Sequence, residues 1–408
     1  MQYAMARTEA ADIFILGAIL PVIATLAGRR VHYWLETKKY PNIWSMLGGK
    51  PADRKSGAIA IAKEIAEFSL GDPSSFFLPN SFSPESLFEE YWRFPEKLWM
   101  PNDANPILIN WQKTPNGERN AAGFLPLYDC CGLVESFMRN KNKKDPKSNP
   151  RREIPETYTN IAFPATYSAA QFQGQQHRAG LDRRFNFSVA DVHGRVIERP
   201  KHFTLDEFNK VLALFKPLQD YSGEIDFADK KTHALWAKYQ NENRDQLTLI
   251  NYDCELDMHR WGAAPKQMFT VAALFQLCCS AKHNPHKMEN ISYGNLRLAH
   301  DYILAHLEGA KHLDLIANRA VLEDEWEMFI LAVRENRKGK ECVKVEAGWI
   351  YYTRTQLSKR FANNTGREHA ITPRRLFNEI IPMGIAKGEA RMAVPKGQRS
   401  PEVYALML

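Results

Sequence analysis

Gly49, Lys55 and Ser56 stand at the spacing at which a loop between a strand and a helix can hold the phosphates of a nucleotide. The segment opens with an apolar strand, Ile43-Trp44-Ser45-Met46-Leu47, and continues as Gly48-Gly49-Lys50-Pro51-Ala52-Asp53-Arg54-Lys55-Ser56. A helix then runs from about Gly57 to Phe68, with Ile61, Ile65 and Phe68 on one face. Such a loop turns backbone N–H groups and a helix N-terminus toward phosphate oxygens. In it Lys55 would reach the β- and γ-phosphates, Ser56 would hold Mg²⁺, and Gly49, Arg54 and Gly57 would complete the cradle. One position departs from the pattern: Arg54 stands where the second glycine belongs. Glycine permits backbone angles that a Cβ resists, so Arg54 either strains the loop or adds a cation beside the phosphates. The plain alternative is an Arg-Lys-Ser helix start with no ligand, against which the preceding strand and following amphipathic helix weigh.

A nucleotide-hydrolysing site also needs a second acid near the metal, at the end of an apolar strand. Asp129 closes Gly123-Phe124-Leu125-Pro126-Leu127-Tyr128, which reads as such a strand. A glutamate directly after that acid would activate water, but Cys130 and Cys131 occupy those places, and thiols are poor bases unless ionised. Glu135 lies further along, and Glu85 follows the preceding apolar run, Phe76-Phe77-Leu78. Asp129 as an ordinary turn residue is the alternative. Asn160, within the strand-like Thr159-Asn160-Ile161-Ala162-Phe163, is a candidate sensor of the γ-phosphate. Positive charge for the transition state is offered by Arg183 and Arg184, just before the strand Phe185-Asn186-Phe187.

The elements that must position these groups make an α/β region over about residues 1–200. It begins with a helix and a strand at Arg29–Leu35, and it includes a helix capped by Ser83 with Pro84 at its first position. A basic loop from Arg139 to Arg152 carries seven Lys/Arg against the single acid Asp145. Residues 201–318 read as helical: a capping signal at Thr204 and Glu207 opens one helix, and Lys231–Tyr239, Lys266–Ser280 and Ile291–Leu307 form others. Residues 319–408 form a separate small domain. Its order is a helix at about Val321–Arg337, a strand at Trp349–Tyr352, a short helix at Thr355–Phe361 and a turn at Asn363–Gly366. A helix from Thr372-Pro373 through Ile381 and a terminal hairpin, Arg391–Val394 with Val403–Leu406, complete it. That is the order of a winged helix-turn-helix, with Arg374, Arg375 and Asn378 outward on the helix that would read nucleic acid.

The charge balance points the same way. Residues 331–408 hold fifteen Lys/Arg and seven Asp/Glu, so they carry +8 of a net +7, and the other 330 residues carry −1. A basic terminal domain suggests a polyanion such as DNA. The six cysteines show no zinc-site spacing and fit a reduced, cytoplasmic chain. The apolar stretch Ile13–Gly28 contains Pro21, follows Glu9 and Asp12 and is short for a membrane span, so it reads as a buried helix without a membrane role.

Together these segments resemble the primase-associated P-loop ATPases of phages, plasmids and integrated mobile elements, a helicase-like family of unknown function. The resemblance rests on the leading helix with Gly28-Arg29-Arg30-Val31, on Tyr40-Pro41-Asn42-Ile43 before the loop, and on Arg before Lys55-Ser56. It also rests on Ser83-Pro84-Glu85-Ser86-Leu87, on Gly180 to Phe187, and on Phe269 to Tyr302, and it covers about residues 10–310. It implies a RecA- or AAA+-like P-loop NTPase core, a helical lid and a C-terminal winged-helix-like domain. ATP and Mg²⁺ would be cofactors and Arg184 the functional arginine, acting within the site or across a subunit interface of a homo-oligomer. The implied activity is a DNA-replication or mobile-element ATPase that works with a separate primase. Cys130, where that family often has glutamate, favours the rival expectation of a catalytically impaired adaptor that binds nucleic acid or a protein without turnover.

Overall fold

The computed structural model describes residues 1–70, 72–80, 82–113, 123–134, 152–170, 180–190, 197, 201, 203–250, 255–335, 344–346, 349–362, 376–393 and 403–407. The chain divides into two compact units, Met1–Leu313 and Asp314–Leu408. Residues 201–313 therefore share a unit with the α/β region, and their helices contribute to its core.

In the first unit, four parallel strands form the central sheet: β1 (Trp44–Gly49), β2 (Glu96–Trp99), β3 (Tyr158–Thr166) and β4 (Phe185–Val189), in the order β2-β3-β1-β4. All six residues of β1 are buried, as expected of an inner parallel strand covered on both faces. Helix α1 (Asp12–Ala27) packs on the sheet, and thirteen of its side chains are buried. It is long and apolar enough to cross a membrane, but most of it lies inside this core. Pro21 sits within it, and Thr25 Oγ1 donates to the Pro21 carbonyl at 2.8 Å, one turn on. Helix α2 (Lys55–Ser69) leaves β1 through the Gly-Lys-Ser loop and buries Ala58, Ile59, Ile61, Ala62, Ile65 and Ala66. Phe68, expected on that face, is 63% exposed.

Two expected strands are not strands. Residues 123–128 form a helix, with Phe124, Leu127 and Tyr128 buried. Their spacing of three and four fits one helical face, and a short apolar run does not separate the two choices by itself. Residues Pro73–Phe76 form one helical turn capped by Asp72, after which Phe77 makes only an isolated bridge to Leu98. Helix α3 (Pro84–Arg93) has the expected cap, with Ser83 Oγ accepting from Ser86 N–H, and α4 (Asn105–Lys113) follows β2. A small second sheet pairs Val31–Trp34 with Lys38–Lys39 and Gly223–Glu224.

Beyond the sheet, the Thr204–Glu207 capping box forms as expected. Helices α5 (Lys230–Leu249), α6 (Glu255–His283) and α7 (Tyr293–Glu335) are each longer than the sequence suggests. The apolar runs Lys266–Ser280 and Ile291–Leu307 are their buried parts, joined in one core with α1.

In the second unit, β5 (Lys344–Glu346), β6 (Trp349–Thr353), β7 (Ala390–Ala393) and β8 (Val403–Met407) form an antiparallel sheet of order β5-β6-β8-β7. Helix α8 (Arg354–Ala362) follows β6, and a π-helical turn, Leu376–Ile380, runs into α9 (Ile381–Ala386). Leu376, Ile380 and Ile381 are buried with Trp326, Phe329, Tyr352 and Leu406, and Phe377 packs beside them. The expected turn at Asn363–Gly366, the Thr372-Pro373 cap and the basic loop 139–151 lie outside the described residues.

Candidate phosphate-loop site

The loop after β1 has the shape its sequence requires, and Gly49 shows why. A Cβ on Gly49 would lie 3.3 Å from Lys55 Nζ, 2.7 Å from Asp53 Oδ2 and 3.1 Å from the ring of Phe14. Asp53 Oδ2 therefore takes the space that a side chain at position 49 would need, and the Lys55 ammonium lies in tight contact beside it. The ammonium donates to the Lys50 carbonyl at 2.5 Å. Asp53 Oδ2 accepts from the Lys50 N–H at 2.5 Å. Burial holds the Lys55 pKa below its ordinary value, opposed by the nearby carboxylates of Asp53 and Asp103. Ser56, the next residue of the helix, is exposed. Gly57 answers to packing: its Cβ would stand 2.7 Å from Thr8 Oγ1.

Arg54 adopts φ 59°, ψ 19°, the left-handed region that glycine fills freely. For an L-residue this costs about 1–2 kcal/mol, so the backbone there has the shape of the missing glycine without its ease. The guanidinium is ion-paired with Glu9, Nε to Oε2 at 3.2 Å. Glu9 Oε1 in turn accepts from the Ile197 N–H at 3.3 Å. Both ideas raised by the sequence thus have an answer: the loop is strained, and the added cation is engaged by the N-terminal segment.

The groups beside this loop come from the carboxyl ends of β2 and β3. Thr166, the last residue of β3, is the register partner of Gly49. Asn105 Oδ1 accepts from both its N–H, at 2.9 Å, and its hydroxyl, at 3.2 Å. Asp103 stands between β2 and α4, exposed, with Oδ1 accepting from the Asn105 N–H at 2.9 Å. Two contacts fix this segment to the loop's surroundings: Ala104 N–H donates to the Pro164 carbonyl at 3.0 Å, and Lys63 of α2 donates to Asn102 Oδ1 at 2.8 Å. Ser56 and Asp103 are the residues that could hold a divalent cation here. In open α/β sheets, ligands bind outside the carboxyl ends of the strands, and this is that end.

Asp129, Arg184 and Asn160 are at the other end, which corrects their expected roles. Asp129 follows a helix, in a turn that packs on the start of β1. Asn42 Nδ2 donates to the Tyr128 carbonyl at 2.7 Å, and the Tyr128 ring meets Trp44 edge-on at 5.2 Å. Strand β1 spans six residues, so Asp129 is separated from Lys55 by about a strand length, roughly 17–20 Å at ~3.3 Å per residue. Arg184 immediately precedes β4, at the same end. The structure brings Asp129 and Arg184 together, Nη2 to Oδ2 at 2.8 Å, and adds Lys266 of α6 at 3.5 Å. Both cations also lie over the Tyr128 ring, Lys266 at 4.1 Å and Arg184 at 5.6 Å from its centroid. Burial pushes the Asp129 pKa up, but the hydrogen bond and charge of Arg184, with Lys266, more than offset this and hold it below the usual value. A buried fork between Arg260 and Asp182, 2.9 and 3.0 Å, fixes the turn that carries Arg184 to α6. Asn160 is fully buried near the start of β3. Its amide is spent on structure, accepting from Ile43 N–H at 2.9 Å and donating to Thr25 Oγ1 at 3.1 Å.

The side chains of Glu85 and Asn378, and all of Glu135, Arg374 and Arg375, lie outside the described residues. Asp103, Asn105 and Thr166 were missed because β2 does not look like a strand: it reads Glu96-Lys97-Leu98-Trp99. Lys97 is nevertheless 1% exposed, neutralised by Glu90 at 3.1 Å and by the Ser75 carbonyl at 2.7 Å. The usable signal was the run Leu98-Trp99-Met100 ending in Pro101-Asn102-Asp103.

No family model matches the chain, and no curated protein matches it. A solved structure described as "SCCmec type IV Cch - active helicase" is similar over 97% of this chain, with 11% identity and a TM-score of 0.31. The match takes in 66% of that protein's chain, just under two thirds of its length.

Proposed function

We propose that the chain is a nucleotide-binding, helicase-like ATPase that acts on DNA. ATP would lie on Gly49–Ser56, with Mg²⁺ between Ser56 and Asp103 and the γ-phosphate near Lys55 and Thr166. The observation that carries this reading is the placement of the Lys55 ammonium over Gly49, at the carboxyl end of an inner parallel strand. Thr166, the register partner of Gly49, and Asp103, whose charge acts on Lys55, support it. A bound Mg²⁺ would neutralise developing charge on the phosphates. Lys55 would bind the phosphates, and Asn105 would keep Thr166 in place. The basic C-terminal segment and the element order of the second unit support a winged-helix-like DNA contact, with Arg374, Arg375 and Asn378 as its proposed readers. A homo-oligomer and a separate primase remain part of this proposal through the resemblance in the sequence. Calorimetric titration of ATP with Mg²⁺ tests it: the wild type binds, and Lys55→Ala loses most of that affinity. Equal binding by the two proteins would remove the reading.

A second reading is an adaptor that binds nucleotide and DNA without turnover. Asp103 favours it, because Asn102 and Ala104 flank it and no second acid adjoins it in the chain. A second acid is needed to activate water. Steady-state ATP turnover with and without single-stranded DNA separates the two readings.

A further inference from the structure

Beside the phosphate loop, on the far side of Asp103, a cavity of about 460 Å³ opens between the start of α4 and the segment before α3. This is within the roughly 300–1,000 Å³ range of ligand sites. Its walls combine two kinds of group. Phe82, Trp99 and Trp111 supply aromatic surface, and Asn80, Asn102 and Asn110 bring polar amide groups to it. The rings are locked together, Phe82 to Trp99 at 4.8 Å and Trp99 to Trp111 at 6.1 Å between centroids, with Phe124 stacked behind Trp99 at 5.2 Å. A rigid aromatic wall with amides at its mouth suits a flat, polar-edged ring. The indole N–H of Trp99 is buried in this wall with no hydrogen-bond acceptor among the described residues.

We propose that this cavity is a nucleobase pocket. It rests on the nucleotide reading above for its neighbour, since Asp103 both lines the cavity and faces Lys55 electrostatically. The base belongs either to the nucleotide on the loop or to an unpaired residue of a DNA strand; the same stacking and edge contacts serve both. Asn102 and Asp103 form the shared wall, so an occupied pocket and a loaded phosphate loop touch the same short segment.

The test uses the full chain and three ligands: ATP with Mg²⁺, inorganic tripolyphosphate with Mg²⁺, and a short thymine oligonucleotide. Ile107→Phe fills the cavity from its α4 wall, and Asn110→Ala removes one amide from an exposed helical position. Calorimetry follows the first two ligands and fluorescence anisotropy the third. A stacked base is worth roughly tenfold or more in affinity. Ile107→Phe should therefore weaken ATP about tenfold with tripolyphosphate unchanged, or weaken the oligonucleotide about tenfold with ATP unchanged. Whichever ligand moves identifies the source of the base. If Ile107→Phe does not fold, Asn110→Ala should show the same pattern at about threefold. The proposal is overturned if a folded variant leaves both ATP and oligonucleotide binding unchanged, or if tripolyphosphate weakens in step with ATP. Failure of the phosphate-loop reading looks different: Lys55→Ala then leaves ATP and tripolyphosphate unchanged, whatever the cavity variants do to the oligonucleotide.

Discussion

Exchanging two aspartates for asparagine, one at each end of the sheet, separates structural charge from site charge. Asp129→Asn removes the carboxylate from Arg184 and Lys266, whose side chains are 11% and 21% exposed. Breaking a fully buried pair costs about 3–5 kcal/mol, and a surface pair about 0–1 kcal/mol. Asp129 is itself 38% exposed, so solvent screening brings the expected loss to about 1–2 kcal/mol. The unit it belongs to runs from Met1 to Leu313. At ~2.1 cal/mol/K per residue, that size converts the loss into a Tm drop of about 2–3 °C. Nucleotide affinity should not change, because the pair lies about a strand length from Lys55. Asp103→Asn should do the reverse. Asparagine keeps the acceptor for the Asn105 N–H, so Tm stays level. Losing a charged contact to the metal, worth about 1.5–3 kcal/mol, weakens Mg²⁺-ATP binding roughly ten- to hundredfold. Thermal melts and calorimetric titration on the two variants read both quantities. If Asp129→Asn abolished ATP binding at unchanged Tm, the assignment of the two ends would be wrong. The same carboxylate has a pH signature. Its folded pKa lies below the usual value, so its contribution is complete above the ordinary carboxylate range and is lost as pH falls through the lowered pKa. Asp129→Asn should flatten the acid side of the stability curve, and an unchanged acid limb would contradict the sign.

Three further outcomes follow from the packing. Gly49→Ala puts a methyl group against Asp53 Oδ2, at 2.7 Å, and hard beside Lys55 Nζ, at 3.3 Å, so it should weaken ATP binding by about tenfold or more, as calorimetric titration would reveal. Arg54→Gly should be more stable to urea than Arg54→Ala by about 1 kcal/mol, because alanine keeps the left-handed penalty that glycine escapes, and equal midpoints would mean that position 54 is not strained. In the second unit, a Cβ on Gly384 would meet the ring of Trp326 at 2.2–2.5 Å, so Gly384→Ala should cost about 1–3 kcal/mol through overpacking, visible as a shifted denaturation midpoint with ATP affinity unchanged.

What was legible in the sequence was local. The N-cap at Ser83, the capping box at Thr204 and the strands beginning at Trp44 and Phe185 depend on neighbouring residues alone, and they formed as expected. The hairpin of β7 and β8 and the inward face of Leu376, Ile380 and Ile381 were equally readable from spacing. Helix and strand were confused at residues 123–128, where a six-residue apolar run suits either state until its partners are known. Strand β2 was hidden for a different reason. Its buried lysine is tolerated because the Glu90 carboxylate of α3 pairs with its charge and the Ser75 carbonyl accepts from it, contacts that exist only once these segments pack together.

By itself, then, the sequence determined the local order of the candidate site: a strand, a loop opened by glycines and a helix beginning Lys55-Ser56, all within one continuous segment. It also located the excess positive charge in the last fifth of the chain. Only the tertiary structure decided at which end of the sheet each acid lies. Parallel strands have two distinct ends, and a residue's end is fixed by the direction in which its own segment enters the sheet. Asp129 and Arg184 enter at the amino end, where they neutralise each other. Asp103 and Thr166 leave at the carboxyl end, beside Lys55. Nothing in the spacing of these residues along the chain carries that direction; it arises when β3 and β4 pair with β1, and β2 with β3, in one parallel sheet.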